Sequence, residues 1–194
     1  MDAFEIQPDT PYKVIFSERR VWETGGPQIR PGSIIFYTDG SKMNNSTGAG
    51  VYGLRTRLSV PMGQSLPVFQ AETQAIIECV SICLKINYRN ASICIFSDSQ
   101  ASLKALSAFT CSSNHVWEYI TLLRKLTMNN KVTLLWVPGH CGILGNEEAD
   151  HQAREGSMGS FIGPEPFCGV ASSALALEVK QWKNKCKIFL QQLV

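Results

Sequence analysis

The order of the predicted elements indicates an α/β protein with a mixed five-stranded sheet flanked by helices. Three strands come first, followed by a helix, a strand, two helices, a strand and a last helix. The segments at residues 34–38 and 93–96 are continuous, β-rich apolar runs, which is typical of strands buried on both faces. Such strands combined with amphipathic helices predict a sheet with helices packed on its faces.

The first half of the domain supplies three strands and one long helix. Strands are predicted at residues 34–38, 48–54 and 58–68, and we expect the last two to run antiparallel to the first. Glycines in the second of these segments permit turns and close backbone approach. A helix is predicted at residues 70–86, because its apolar residues recur on one face.

The second half alternates strands and helices. A strand at residues 93–96 is followed by helices at 99–108 and 115–128. Pro138 and Gly139 stop a third central strand, which is predicted at 132–137. The last helix of the domain is predicted at 146–155, with Asn146 as its N-cap and acidic residues in its first turn.

Composition shifts along the chain predict four parts. Residues 1–31, interrupted by proline and glycine, are predicted to be a leader or linker with a minor strand at 14–16. Residues 32–156 form the predicted folded domain, and 157–173 are a Gly- and Pro-rich linker. Residues 174–194 are predicted to be an amphipathic helix that packs on its own domain, because its apolar positions share one face: Leu175, Val179, Trp182, Cys186, Phe189 and Leu193.

Composition excludes several classes of protein. The 194 residues are 44% hydrophobic and 18% charged, with a net charge of +2, which is ordinary for a globular protein. No apolar run is long enough to span a membrane, so we expect no membrane partner. The seven cysteines lack CxxC spacing, which favours free thiols over a zinc site. An intracellular location, nucleus or cytoplasm, is therefore expected.

Four acidic residues stand in settings that a fold can bring together. Asp39 and Asp98 each follow an apolar strand, Glu72 lies in the first turn of a long helix, and Asp150 lies in the last helix of the domain. Taken singly, Asp39 fits an Asx-type turn and Asp98 fits a helix N-cap. Taken together, the four carboxylates predict one site for a hard cation, magnesium or manganese.

The motifs around these residues occur in a fixed order: TDGS, AET, FSDS and GHCGILGNEEAD. In this set and order the chain resembles the type-1 ribonuclease H family. More narrowly, it resembles the ribonuclease H domain of insect non-LTR retrotransposon (jockey-like) polyproteins. The resemblance covers residues 32–155 and implies the ribonuclease H-like fold. It also implies a metal-dependent endonuclease that hydrolyses the RNA strand of RNA–DNA hybrids with two Mg²⁺ ions per site, which Mn²⁺ can replace.

The resemblance also implies a role for each ligand. In a two-metal site, divalent ions about 3.5–4 Å apart stabilise the attacking and leaving oxygens of the phosphodiester. By the resemblance, Asp39 bridges both ions, and Glu72 and Asp98 hold the ion at the leaving group. Asp150 completes the ion that activates water.

Two further residues lie near Asp150 in the sequence. His140 stands ten positions earlier in a glycine-flanked loop, where the family places a mobile histidine that handles protons near neutral pH. Glu147 is a rival ligand, because positions i−3 and i of a helix lie close together. The family match favours Asp150 over Glu147 as the ligand.

Substrate selection is expected to depend on the 2′-hydroxyl groups of the RNA strand, which the shallow minor groove displays. Polar groups near the four carboxylates are the candidates for this contact, and one asparagine resembles the family's contact to the DNA strand. The candidate substrate-binding residues are Gly40, Ser41, Asn45, Gln70, Ser99, Gln100 and Asn146.

Other functions of the same fold remain open from sequence. Integrases and transposases share it, but they end in a glutamate and lack the motif around Glu72. Proofreading exonucleases carry an acidic residue at the place of Ser41. A catalytically idle or co-opted nucleic-acid-binding copy is the remaining alternative, against which the presence of all four carboxylates argues. A reverse transcriptase domain in a parent polyprotein is an expected partner beside the RNA–DNA hybrid.

Overall fold

The computed structural model describes residues 4–5, 10–64, 66–108, 110–111 and 114–160. The predicted helix at 174–194 lies outside the described residues, as does most of the linker before it. The strands are β1 Phe4–Glu5, β2 Lys13–Ile15, β3 Ile34–Met43, β4 Ser46–Gly53, β5 Thr56–Gln64, β6 Ser92–Ser97, β7 Thr110–Cys111 and β8 Lys131–Trp136. The helices are α1 Arg19–Glu23, α2 Val68–Ile86, α3 Gln100–Ser107, α4 Asn114–Thr127 and α5 Leu144–Met158.

Six strands form one mixed sheet in the order β2-β8-β6-β3-β4-β5. The first four run parallel, whereas β4 and β5 are antiparallel to their neighbours. The predicted mixed sheet is therefore confirmed, but the count of five strands is wrong, because β2 adds an edge strand beside β8. The buried Tyr12 anchors this strand, since its hydroxyl donates to the Leu106 carbonyl at 2.7 Å. The boundary between leader and domain stays a prediction.

One face of the sheet carries a thick layer of large apolar side chains. Helices α2, α3 and α4 cover this face, where α2 buries the residues that the periodicity predicted to share a face. Burial of such side chains contributes about 1.5–3 kcal/mol each. The largest side chains with almost no exposure in this layer are Phe36, Ile76, Ile93, Ile95, Leu103, Leu106, Ile120, Leu123, Leu126 and Leu134.

The opposite face is packed more tightly, by α5 on β3, β4 and β5. A Cβ atom at Gly50 would collide with the α5 backbone at Ala149 and Ala153. A Cβ atom at Gly48 would collide with the same helix at Gly156. The absence of side chains at these two glycines allows the backbone of α5 to pack directly against the sheet. Strand β4 therefore fixes the position of α5.

Some local predictions are wrong in detail, and two single-residue alternatives, an Asx-type turn at Asp39 and an N-cap at Asp98, are excluded. The strand predicted at 58–68 ends at Gln64, because Val68 already begins α2. The strand predicted at 34–38 extends to Met43, because residues 39–43 pair with β4, so Asp39 lies inside a strand rather than at a turn. Helix α5 begins at Leu144, and Asn146 is a buried residue of its first turn rather than its N-cap. Helix α3 is capped by Ser99, whose hydroxyl accepts a hydrogen bond from the Ser102 amide, so Asp98 is not the cap.

No helix among the described residues is long and apolar enough to cross a membrane.

Candidate active site

Two of the acidic residues are brought together by the parallel pairing of β3 and β6. Thr38 pairs with Ser97 in this register, so the next residues along the two strands, Asp39 and Asp98, become neighbours. Both strands are central in the sheet, and Asp39 is only 6% exposed, whereas Asp98 is half-buried. The parallel register therefore builds the first half of the site.

Glu72 reaches the same point from α2, because Gly40 has no side chain. A Cβ atom at Gly40 would meet the α2 backbone at Ala71, with the carbonyl carbon at 2.8 Å. The helix can therefore approach β3 closely just where Glu72 leaves it. Carboxylate oxygens of Asp39, Glu72 and Asp98 all lie within 4.8 Å of one another.

Asp150 approaches from the other face of the sheet. Gly50 is the cross-strand partner of Asp39, and α5 lies on Gly50 at Ala149 and Ala153. This contact places Asp150, between those two alanines, beside Asp39. The two carboxyl groups share a hydrogen bond and also repel each other when both are ionised. The structure thus gathers all four predicted carboxylates.

Crowding and burial disfavour the ionised carboxylates. Burial raises the pKa of Asp39 to about 8, with a further contribution from the charge of Asp98. Burial raises the pKa of Glu72 to about 10, with the charges of Asp39 and Asp98 acting in the same direction. Burial also raises the pKa of Asp98, which the Asn146 amide and nearby His140 partly offset. Perturbations of this kind are typical of functional carboxylates.

The donor set fits a divalent hard cation. It consists of carboxylate oxygens, which Mg²⁺ and Mn²⁺ prefer. One oxygen of Glu72, Oε2, is buried without a hydrogen-bond partner, and such orphaned polar atoms are rare in folded proteins. A cation would satisfy this oxygen and neutralise the repulsion that raises the pKa of Glu72. Residues Asp39, Glu72 and Asp98 therefore fit the cation that the sequence predicted.

A second group of potential ligands surrounds Asp150. His140, Glu147 and Asp150 also place one ligand atom each within 4.8 Å of one another. The Gly142 amide donates to Glu147 Oε1 at 3.2 Å, which ties the histidine loop to α5. His140 itself is exposed and has a φ of 52°. Glu147, the alternative metal ligand that helix spacing suggested, thus lies next to Asp150 at the edge of the carboxylate cluster.

Comparison with known proteins agrees with this geometry. The RNase H family profile matches residues 31–158. The chain belongs to the RNase H family. This RNase H chain is 30% identical over 148 residues to Ribonuclease H1 of Mus musculus and 30% over 147 residues to Ribonuclease H1 of Homo sapiens. It is 28% identical over 144 residues to Ribonuclease H of Schizosaccharomyces pombe.

These matches cover 66%, 66% and 63% of the RNase H chain, and 51%, 51% and 52% of the three relatives. The chain therefore spans about half the length of the curated relatives it matches. The RNase H1 crystal structure from the archaeon Halobacterium salinarum NRC-1 superposes with a TM-score of 0.51 and 21% identity. That match covers 64% of this chain and 97% of the archaeal chain, and it supports the shared fold.

Sequence reasoning missed one charged residue of this RNase H site. Arg154 forms an ion pair with the Asp150 carboxylate one helical turn before it. The guanidinium thus supplies positive charge at the edge of the acidic cluster. The i,i+4 spacing of an acidic and a basic residue on a helix is a signal that could have revealed the pair.

Three of the proposed substrate-binding residues already have structural partners. The Gly40 amide donates to Asp39 Oδ1 at 2.8 Å, and Ser99 caps α3. Asn146 is 1% exposed, and its amide donates to Asp98 while its Oδ1 has no partner. Its side chain therefore contacts a carboxylate of the cluster instead of capping the helix.

The other four candidates lie at the rim or in nearby turns. Ser41 is half-buried on β3, two residues beyond Asp39, and Gln70 is half-buried in the first turn of α2. Gln100 is exposed at the start of α3. Asn45 is exposed and has a φ of 71°, as a two-residue hairpin turn between β3 and β4 requires. Contact with a substrate stays a prediction for all seven.

Proposed function

We propose that this RNase H-family chain is a metal-dependent endonuclease that hydrolyses the RNA strand of RNA–DNA hybrids. The observation that carries the proposal is the convergence of four carboxylates, from β3, α2, the end of β6 and α5, at one point of the fold. Two of the relatives with 30% identity are named Ribonuclease H1, which supports the same activity. An idle, nucleic-acid-binding copy of the domain is the alternative that an assay must exclude.

The cofactor we propose is Mg²⁺, two ions per site, with Mn²⁺ as a substitute. Asp39, Glu72 and Asp98 would hold one ion, and Asp39 with Asp150 would hold the other. When bound, such ions acidify an attacking water and stabilise the charge on a leaving oxygen. The chain itself contributes a buried, preorganised set of oxygens, and Asn146 fixes the orientation of Asp98.

For His140 we propose proton transfer during turnover or product release. Its exposure and its place in a loop suit a group that must meet solvent and substrate in turn. Glu147 lies within reach of it and can hold the imidazole toward Asp150. The alternative, in which His140 itself ligates an ion together with Glu147, makes a different prediction for metal binding.

Specificity for RNA is proposed to come from contacts to 2′-hydroxyl groups by the exposed or half-buried polar residues of the rim. A retrotransposon origin is proposed from the motif strings that resemble insect non-LTR polyproteins. In that setting a reverse transcriptase domain would be the partner that delivers the hybrid.

The decisive experiment compares Asp39→Asn with the parent chain on labelled RNA–DNA hybrid, double-stranded RNA and double-stranded DNA, each with Mg²⁺ and with EDTA. We expect the parent to cut only the hybrid and only with Mg²⁺, and Asp39→Asn to abolish cutting while remaining folded. Glu148→Gln is the matched control, because it removes a carboxylate on α5 that pairs with Arg57 outside the cluster. Cleavage by Asp39→Asn at the parent rate would place the site elsewhere.

A second experiment separates proton transfer from metal binding at His140. His140→Ala should keep Mg²⁺ binding, measured by calorimetry, and slow turnover by about 10²–10⁴-fold, which is the usual contribution of a general acid or base. Loss of Mg²⁺ binding in His140→Ala, and equally in Glu147→Gln, would instead assign both residues to the coordination shell.

A further inference from the structure

A chain of hydroxyl groups connects the start of α3 to the first turns of α2. The Ser99 hydroxyl donates to Ser102 Oγ at 3.0 Å, and Ser102 Oγ lies 3.2 Å from Thr73 Oγ1. Thr73 Oγ1 donates to the Phe69 carbonyl at 2.6 Å. Each hydroxyl has a single proton, and that of Thr73 is used on Phe69, so Ser102 is the donor to Thr73. The chain therefore runs in one direction, with every proton engaged.

Both ends of this chain adjoin metal-binding candidates. Ser99 directly follows Asp98, and Thr73 directly follows Glu72. The Asp98 carbonyl is separately held by Trp136, whose indole donates to it at 3.1 Å. Asp98 is thus fixed to the sheet, and the hydroxyl chain fixes α2 relative to it.

Burial of apolar surface does not require these hydroxyl groups. Ser102 is 0% and Thr73 is 2% exposed, so their hydroxyls lose water and regain only the hydrogen bonds of the chain. An apolar pair of similar volume, valine at 73 and alanine at 102, would leave no buried polar group to satisfy at these two positions, and the half-buried Ser99 hydroxyl can turn to solvent. The pair is therefore expected to be close to neutral for stability. What the hydroxyl chain adds is a directional contact between α2 and α3.

We propose that Ser99, Ser102 and Thr73 are positioning residues that set the separation of the Asp98 and Glu72 carboxylates for a divalent ion. The proposal rests on the metal-dependent function proposed above. Mg²⁺ demands near-octahedral ligands at about 2.0–2.1 Å, so a small slip of α3 against α2 weakens its binding.

The test is Mg²⁺ titration by calorimetry on the full chain, without nucleic acid, together with metal-free melting temperatures. Thr73→Val and Ser102→Ala should each weaken Mg²⁺ binding by roughly 10-fold, the usual effect of removing a group that orients a metal ligand. Thr73→Val should also lower the melting temperature, because it leaves the buried Ser102 hydroxyl without an acceptor. Ser102→Ala should lower it less, because Thr73 still donates to the Phe69 carbonyl. The double variant should recover most of the melting temperature and none of the Mg²⁺ affinity. Thr73→Ser, which keeps the hydroxyl, should bind Mg²⁺ as the parent does.

Thr121→Val is the matched control. Thr121 makes the same bond to a carbonyl four residues earlier, at 2.9 Å to Trp117, but on α4 and exposed; its loss should leave Mg²⁺ affinity unchanged. A double variant with the parent's Mg²⁺ affinity would overturn the positioning role while leaving the proposed function intact. A parent chain that neither binds Mg²⁺ nor cuts the hybrid would overturn both.

Discussion

The two faces of the sheet are packed in opposite ways. Helices α3 and α4, and α2 beyond its first turns, pack on the sheet through large apolar side chains such as Phe36 and Ile120. Helix α5 lies with its backbone directly against Gly48 and Gly50 of β4. Side chains can adjust their rotamers under strain, whereas backbone against backbone has almost no freedom to adjust.

This difference implies that one face mainly stabilises the fold, whereas the other mainly sets the position of Asp150. The face covered by α2, α3 and α4, called the thick face here, holds the largest cluster of buried apolar side chains and should dominate the free energy of unfolding. The face covered by α5, called the thin face, fixes Asp150 beside Asp39 without an intervening side chain. The four clustered carboxylates lie where the two kinds of packing meet. Substitutions on the two faces should therefore have separable effects.

The largest expected effect comes from Gly50→Ala on the thin face. Its Cβ would overlap the α5 backbone on both sides of Asp150, so the helix must move. A displacement on the order of 1 Å lowers turnover by about 100-fold, which kcat on the hybrid with Mg²⁺ would reveal. Gly48→Ala is the control, because it strains the same helix at Ala153, Gly156 and Ser157 and spares Ala149, next to Asp150; it should destabilise with a smaller loss of turnover. If Gly50→Ala has the kcat of the parent, the close packing of α5 on β4 does not set the position of Asp150.

The reciprocal change is Ile120→Ala on the thick face. Ile120 is fully buried, and its truncation should reduce the free energy of unfolding by about 2–5 kcal/mol. The kcat of the folded fraction should stay at the parent value, because side-chain packing around the cavity relaxes away from the site. Chemical denaturation and kcat at low temperature measure the two quantities. Ile120→Val is the milder control and should reduce the free energy of unfolding by only about 0.5–1.5 kcal/mol. If kcat falls in both variants in proportion to the loss of stability, the two faces are not independent.

The carboxylates between the two faces should make the stability of the metal-free chain fall as pH rises. Both Asp39 and Glu72 have folded-state pKa values, about 8 and about 10, above their ordinary values of 3.8 and 4.5. The folded state therefore holds more protons than the unfolded state between these values, and stability of the metal-free chain must fall as pH rises. We expect its melting temperature to drop from pH 5 to pH 9 and Mg²⁺ to reverse the drop at pH 9.

Asp39→Asn provides the control for this titration. The amide removes one ionisable group, so the free energy of unfolding should decline less with pH. The difference is about 1.4 kcal/mol for each unit by which folding raises the pKa of Asp39. A metal-free melting temperature that rises with pH in the parent chain would contradict the assignment of raised pKa values.

The smallest expected effect is that of Arg154→Met at the outer edge of α5. Arg154 is half-exposed, and its pair with Asp150 should contribute only about 0.2–1 kcal/mol to the metal-free chain. Methionine keeps the apolar stem and removes the charge. The difference in melting temperature should shrink with Mg²⁺, whose charge replaces that of the guanidinium. Arg57→Met, which breaks a pair with Glu148 on the same helix, should not respond to Mg²⁺.

The sequence by itself determined the alternation of strands and helices and the identity of the four carboxylates. Both are local signals. Apolar runs and helical periodicity reflect which side of a segment meets the core, and the motif strings around Asp39, Glu72, Asp98 and Asp150 can be read without knowing their partners. The family assignment rests on those same strings, and the profile match over residues 31–158 confirmed it.

Only the tertiary structure decided the features that depend on contacts between distant segments. The sequence predicted a minor strand at 14–16, but its place as the sixth strand of the sheet depends on its pairing with β8 and on the contact of Tyr12 with Leu106. Asn146 looked like a helix cap, yet its amide is used on Asp98.

The hydroxyl chain from Ser99 to Thr73 and the close packing of α5 on Gly50 also depend on contacts between distant segments. A local pattern cannot encode them, because a side chain chooses among possible partners only after packing has brought those partners within hydrogen-bond or van der Waals distance.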